Sequence, residues 1–420
     1  MIISRIRCIM KIWMILQKMA ILNQTPIFLE DLDYLLYTLE NNFGSFDVAY
    51  WMHGVDIHAV IEEIRSSVVA NPDTTTAEFF NQLMFGLSPI RAGHFSVVHP
   101  ITYHSIVNNR NNHAWFFFPE SSLARLFYPH VVEFYEQHQP IVGTVATLTQ
   151  TPYRMLRAYS DIIEEGRIAY LSIQGFLGDD YGTWMSTHKY IEAFYNKNRG
   201  FDHLIVDMRG YFGGSSTFFY DAIIRPNISH RHRVEGFAFF PYGTYISTHF
   251  EGRTTIFGMS LDPLTGFQTP DRLLRTTAEM LAGFDLPNII MSDMERMEYA
   301  KMFRLDLYPR PLYGFDDIAF DGKIWLLTSP NMASARMLSA WVARDTGIAT
   351  HVGETTGGQY GGPRIFIALP NTGILFQMDL FYITDRYGWP VEAGIAPHHF
   401  NREGMDALET TLALIAEGDY

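Results

Sequence analysis

The chain has one cysteine, Cys8, in 420 residues. That excludes an internal disulfide framework and any cysteine-based zinc site, while leaving the redox compartment open. Positive charge is short as well: 31 Lys and Arg against 45 Asp and Glu give a formal charge of −14. No electrostatic footprint for nucleic acid exists across such a chain. Lysine is missing from the whole C-terminal part, the last being Lys323. Nor is there a clean apolar run of the ~20 residues a transmembrane helix needs, because the apolar start "MIISRIRCIMKIWMILQKMAIL" is interrupted by Arg5, Arg7, Lys11 and Lys18. There is no HExxH motif, internal repeat or low-complexity segment.

What is present is enough apolar residue, 47 % with only 18 % charged, for a large domain or two with a sizeable buried core. In the first 25 residues Arg7, Lys11 and Lys18 share one narrow helical face, the pattern of an interfacial helix that would associate with a membrane surface. A degenerate signal sequence or a mis-assigned start codon is the alternative. Residues 26 to 93 carry apolar residues at three- and four-residue spacing, with "NPDTTT" as a turn and helix cap, and read as a helical bundle. Residues 94 to 165 are a mixed connecting region, rich in aromatics and histidine. From 166 the chain alternates: strand "RIAYLSIQGF", helix "TWMSTHKYIEAFYNK", buried strand "HLIVDMR" and glycine turn "GYFGGSS". After a long aromatic insertion, about 217 to 320, alternation resumes with "KIWLLTS", a helix, "GIATHVGE", a hairpin over 364 to 383 and a last helix near 405 to 416. This is the pattern of an α/β domain with one large excursion.

Chemistry is suggested first by "KIWLLTSPNMASARMLSAWVARD", where Ser334 sits between two alanines as a strand gives way to a helix. A helix N-terminus supplies free N–H groups and a positive field, and the N–H of Ala335 is placed to donate to a tetrahedral intermediate. Ser334 as a plain N-cap is the alternative. In "LIVDMRGYFGGSS" a buried strand delivers Gly213 and Gly214 to its carboxyl end, where ligands of α/β sheets gather; a turn capped by Ser215 or Ser216 is the alternative. A serine hydroxyl needs a base. No lysine follows Ser334, so a histidine must serve, and His94 in "IRAGHFSVVHP" is the first choice among sixteen, with His351 and the pair His398 and His399 as rivals. Glu392 and Glu354 are the acids that could orient the imidazole, and the residues alone do not choose between them. "HRHR" at 230 to 233 reads as a solvated basic-aromatic loop rather than a metal site.

Together these blocks resemble the S41 family of serine peptidases, the C-terminal-processing or tail-specific proteases, and within it the tricorn-core-like branch. The resemblance covers roughly residues 30 to 400 and rests on a helical bundle ending in "GH", then "AYLSIQGF", "LIVDMRGYFGG", "GKIWLLTSPNMASA", "VGETTGG" and "VEAGIAP", in family order. It implies a ClpP/crotonase-like α/β core of ββα units. Carried over, the nucleophile falls on Ser334, the base on His94, the acid on Glu392, and the oxyanion donors on Ala335 and Gly213 or Gly214. The other branch uses a lysine beside the "VGE" turn, where this chain has Gln359. Departures from the family pattern are Met337, Ala92 and His398, and no PDZ module is recognisable, which leaves substrate selection to the bundle and the insertion.

The resemblance thus implies hydrolysis of polypeptide substrates through an acyl-enzyme, with no cofactor or metal, in the cell envelope. A catalytically inactive peptide-binding protein on the same scaffold is the alternative. A crotonase-like acyl-CoA enzyme would not account for Ser334 together with His94 and Glu392.

Overall fold

The computed structural model describes residues 24–108, 120–138, 157–174, 181–210, 216–241, 243, 245, 275–310, 318–359 and 364–418. The basic N-terminal segment up to residue 23 and the glycine turn at 211–215 lie outside them. Among the described residues no helix is long and apolar enough to cross a membrane.

The apolar spacing of the first region becomes four helices: α1 (Gln24–Asn42), α2 (Val48–His53), α3 (Ile57–Ala70) and α4 (Thr76–Gly86). The turn before α4 forms a capping box, in which Thr75 Oγ1 accepts the Glu78 N–H at 3.3 Å and Glu78 Oε2 accepts the Thr75 N–H at 2.8 Å. Thr75→Ala should lower stability by about 1 kcal/mol, read as a lower urea midpoint at unchanged slope; an unaltered midpoint would mean that packing alone sets this helix start. Phe28, Leu32, Leu35 and Leu39 of α1 and Phe79 and Leu83 of α4 are buried in one core. That core continues into a three-stranded sheet, β1 (Ser96–Val97), β11 (Leu375–Asp379) and β10 (Arg364–Ala368), in that order. Helices α5 (Pro100–Asn108) and α6 (Pro129–Gln137) follow β1.

The central sheet has six strands. Its order is β13 (His399–Phe400), β9 (Ala349–Gly353), β8 (Lys323–Thr328), β4 (His203–Asp207), β3 (Ile168–Ile173) and β2 (Ala158–Glu164), all neighbours parallel except the β2–β3 hairpin. Both faces are covered, as a parallel sheet requires. Leu204, Val206 and Leu326 face α10 (Ala335–Thr346), while Ile205, Trp325, Leu327 and Val352 face α11 (Ala407–Glu417). The helix α7 (Tyr181–Asn198) crosses between β3 and β4. Edge strand β2 fell in the unassigned mixed region because most of its side chains are exposed or half-buried, which removes the apolar signal of a strand.

The described part of the insertion is itself built around a sheet, in the order β12 (Tyr382–Asp385), β5 (His232–Phe240), β7 (Tyr299–Leu307) and β6 (Arg275–Thr276). Short helices α8 (Thr277–Gly283) and α9 (Met291–Met294) lie between β6 and β7. The "HRHR" segment is therefore solvated, with His230, Arg231 and Arg233 exposed, but its second half is strand rather than loop. His232 opens β5, and Arg231 and Arg233 both pair with Asp306 of β7, which is itself nearly covered.

Candidate active site

Strand β8 ends at Thr328, and α10 begins at Ala335, so Ser334 stands at the corner predicted from the sequence. Its backbone has φ 56° and ψ −125°, and its side chain makes no capping hydrogen bond. A non-glycine residue in that region carries strain of order 1–3 kcal/mol, which persists only where its surroundings impose it. Here the Ser334 N–H is bound to the Gly358 carbonyl at 3.1 Å, and the Ser334 carbonyl accepts from Leu338 at 2.9 Å to open the helix. The N-cap alternative is thus not what the hydroxyl does. Among the described residues the Ala335 N–H is not spent on a carbonyl acceptor.

His94 lies between α4 and β1, and both Gly93 (φ 52°) and His94 (φ 49°) are left-handed. A Cβ on Gly93 would press on Phe43 and Ser45, so glycine is required there for conformation and space. From this turn the imidazole reaches β11. There Nδ1 lies 2.6 Å from Asp379 Oδ2, with the His94 side chain 12 % exposed and Asp379 fully buried. Burial holds the ring below the ordinary histidine pKa; Asp379 pushes it up and Arg364 pushes it down again. That direction favours the neutral ring, the form a general base requires.

Glu392 differs from what the resemblance implied. The carboxylate on the His94 ring is that of Asp379, while Glu392 Oε1 accepts two backbone N–H groups, from Gly93 at 2.9 Å and from Gln359 at 2.7 Å. Gln359 follows Gly358, whose carbonyl holds Ser334. One buried carboxylate oxygen therefore joins the backbone beside His94 to the backbone beside Ser334. The physical reason lies in the chain's close approach at this point: a Cβ on Gly358 would collide with the Glu392 carbonyl, and one on Gly357 with that of Pro330. The glycine pair in "VGETTGG" is what lets three loops meet. Gly213 and Gly214 lie outside the described residues.

The rival residues are accounted for. His351 is fully buried in β9, neither ring nitrogen has a hydrogen-bond partner among the described residues, and burial drives its pKa down to about 3. Such a ring neither reaches substrate nor cycles a proton. His398 Nδ1 accepts the His351 N–H, and His399 opens the edge strand β13. Glu354 lines a polar cleft of about 210 Å³ with Arg209, Asn331, Asn401 and Asp406 at the carboxyl ends of the parallel strands.

Two residues escaped the sequence reading. Asp379 was one acid in an apolar strand. Arg336 sat two positions past Ser334 on a helix, where a surface charge is ordinary, yet it is fully buried. Its Nη1 donates to the carbonyls of Ile173, at 3.1 Å, and Met208, at 2.8 Å. It thereby ties the carboxyl ends of β3 and β4 to the first turn of α10, and burial lowers its pKa to about 10.

A parallel-stranded α/β core, flanked by helices, with a strained serine where a central strand meets a helix, is the ClpP/crotonase-like α/β fold. The model of Peptidase family S41 matches residues 251–399, so this stretch of the chain is similar to that family, and the match supports a serine peptidase or tail-specific protease. Solved structures share the fold. A Parabacteroides merdae ATCC 43184 protein crystallised as a candidate peptidase is 16 % identical over 92 % of this chain and 96 % of its own, with a TM-score of 0.52. Mature CPAF bound to lactacystin is 13 % identical over 94 % and 99 %, with a TM-score of 0.53. No curated protein sequence matches the chain.

Proposed function

We propose that the chain is a serine peptidase that hydrolyses peptide bonds of polypeptide substrates through an acyl-enzyme. Ser334 Oγ attacks the scissile carbonyl as His94 Nε2 takes its proton. The protonated ring then gives that proton to the leaving amine, and water repeats the cycle to free the acid. The N–H of Ala335, with those of the 213–214 turn, would receive the oxyanion. The reading is carried by one observation: a non-glycine residue held at φ 56° on a strand-to-helix corner, with its hydroxyl free of any capping role. An inactive peptide-binding protein would have no use for that strain.

Purified full-length protein should be labelled by a fluorophosphonate on Ser334, located by mass spectrometry, and should digest an unfolded protein substrate; Ser334→Ala should do neither. A folded wild type that is neither labelled nor able to cleave would overturn the reading in favour of the binding protein.

A further inference from the structure

We propose that Asp379 is the residue that orients and polarises His94, and that Arg364, directly across the β10–β11 ladder from it, sets how strongly it does so. This rests on the reading of His94 as the base. Asp379 grips the histidine turn twice: its side chain holds Nδ1 at 2.6 Å, and its own N–H donates to the Gly93 carbonyl at 2.7 Å. Ring and backbone are thus referenced to the same residue of β11, and the adjacent Ser96↔Gln377 pairing of β1 locks that strand to the chain just past His94. A carboxylate has only lone pairs to offer, so the shared proton sits on Nδ1, and the Nε2 lone pair is left to accept from Ser334.

The charged groups that face the ring come from two strands. Asp379 on β11 favours the imidazolium, and Arg364, its register partner on β10, opposes it. Glu392 acts one peptide away, on the Gly93 N–H. Arg364 in turn feels burial and the attraction of Asp379. Removing either neighbour therefore moves the base in opposite directions. Without Asp379 the imidazolium loses its counter-charge and the His94 pKa falls further. Without Arg364 the carboxylate acts unopposed and the pKa rises. A residue that merely packs would not produce that pair of signs.

The test has two arms. In the full chain carrying Ser334→Ala and labelled with ¹⁵N-histidine, the His94 signals are assigned by loss in His94→Gln and titrated. The parent should show a neutral ring protonated on Nδ1. Adding Asp379→Asn should lower the midpoint and mix the two tautomers, and adding Arg364→Gln should raise it. In the enzyme with Ser334 intact, Asp379→Asn should cut kcat by about 10⁴, the scale seen when the triad carboxylate of a serine protease becomes an amide. Its KM should hardly move, and the acid limb of kcat/KM should shift to lower pH; Arg364→Gln should move that limb to higher pH. Midpoints that shift the same way in both variants, or a tenfold or smaller loss in Asp379→Asn, would overturn the assignment. If Asp379→Asn fails to fold, the sign of the Arg364→Gln shift decides. The titration arm needs no turnover, so it separates failure of this assignment from failure of the peptidase reading.

Discussion

Ser334→Ala, His94→Ala and the double variant should all fall to the same residual activity, about 10⁴ to 10⁶ below wild type in kcat. A nucleophile and its base act as one unit: removing either leaves the other with nothing to do, so the second deletion costs almost nothing more. The residue that remains, roughly 10³ over the uncatalysed reaction, would come from substrate binding and from the N–H groups facing the oxyanion. The measurement is kcat and KM for each variant on one fluorogenic polypeptide substrate. Losses that multiplied in the double variant would mean that the two residues act in separate steps, and His94 would cease to be the base of Ser334.

The corner that carries Ser334 was legible because two local signals coincide. "KIWLLT" is a short, continuously apolar run, which reads as a buried parallel strand, and the Pro-Asn turn after it leads into a helical apolar period. The structure builds β8 and α10 from those residues. The junction that carries His94 was legible for a weaker reason, the glycine before it between a helical region and a strand. What the sequence could not supply is which carboxylate meets which donor. Asp379 is 285 residues from His94, in a strand whose other residues but Gln377 are apolar, and no spacing rule links the two. Arg336 was hidden because a helix periodicity says which face is apolar, and not that a cation on it is capping the ends of two strands.

The same physics explains the "HRHR" segment. Four adjacent basic and aromatic residues read as a loop in one dimension. The β5–β7 ladder then sets Arg233 opposite Asp306 in register and brings Arg231 to the same carboxylate. Long-range antiparallel pairing supplies the counter-charge, and that is a property of topology rather than of local pattern. The Glu392 role is a third instance. An acid late in the chain suggests an imidazole partner, but a buried carboxylate satisfies backbone N–H groups equally well, and here the close approach of Gly358 brings such a group to it.

Glu392→Ala should therefore be a strongly destabilising single change. Glu392 is 3 % exposed, and its removal leaves the Gly93 and Gln359 N–H groups without their acceptor. At about 1–3 kcal/mol for each of the two unsatisfied donors, the loss should be roughly 2–6 kcal/mol. The local consequence is larger than the global one, because the same oxygen joins the histidine turn to the segment that holds Ser334. Once that join is cut, the two reacting groups are free to drift, and a misplacement of about 1 Å can cost 10² in rate. Glu392→Gln keeps a carbonyl oxygen that can take the place of Oε1, so it should recover most of the stability while removing the charge. Thermal and urea unfolding of the two variants, with their kcat/KM against pH, separates the roles. If Glu392 works as a backbone tie, the glutamine variant should be clearly more stable and more active than the alanine variant, and its acid limb should stay near that of wild type. If both variants lost activity equally, and the acid limb moved in the glutamine variant as far as in Asp379→Asn, then the charge of Glu392 would be what acts on His94.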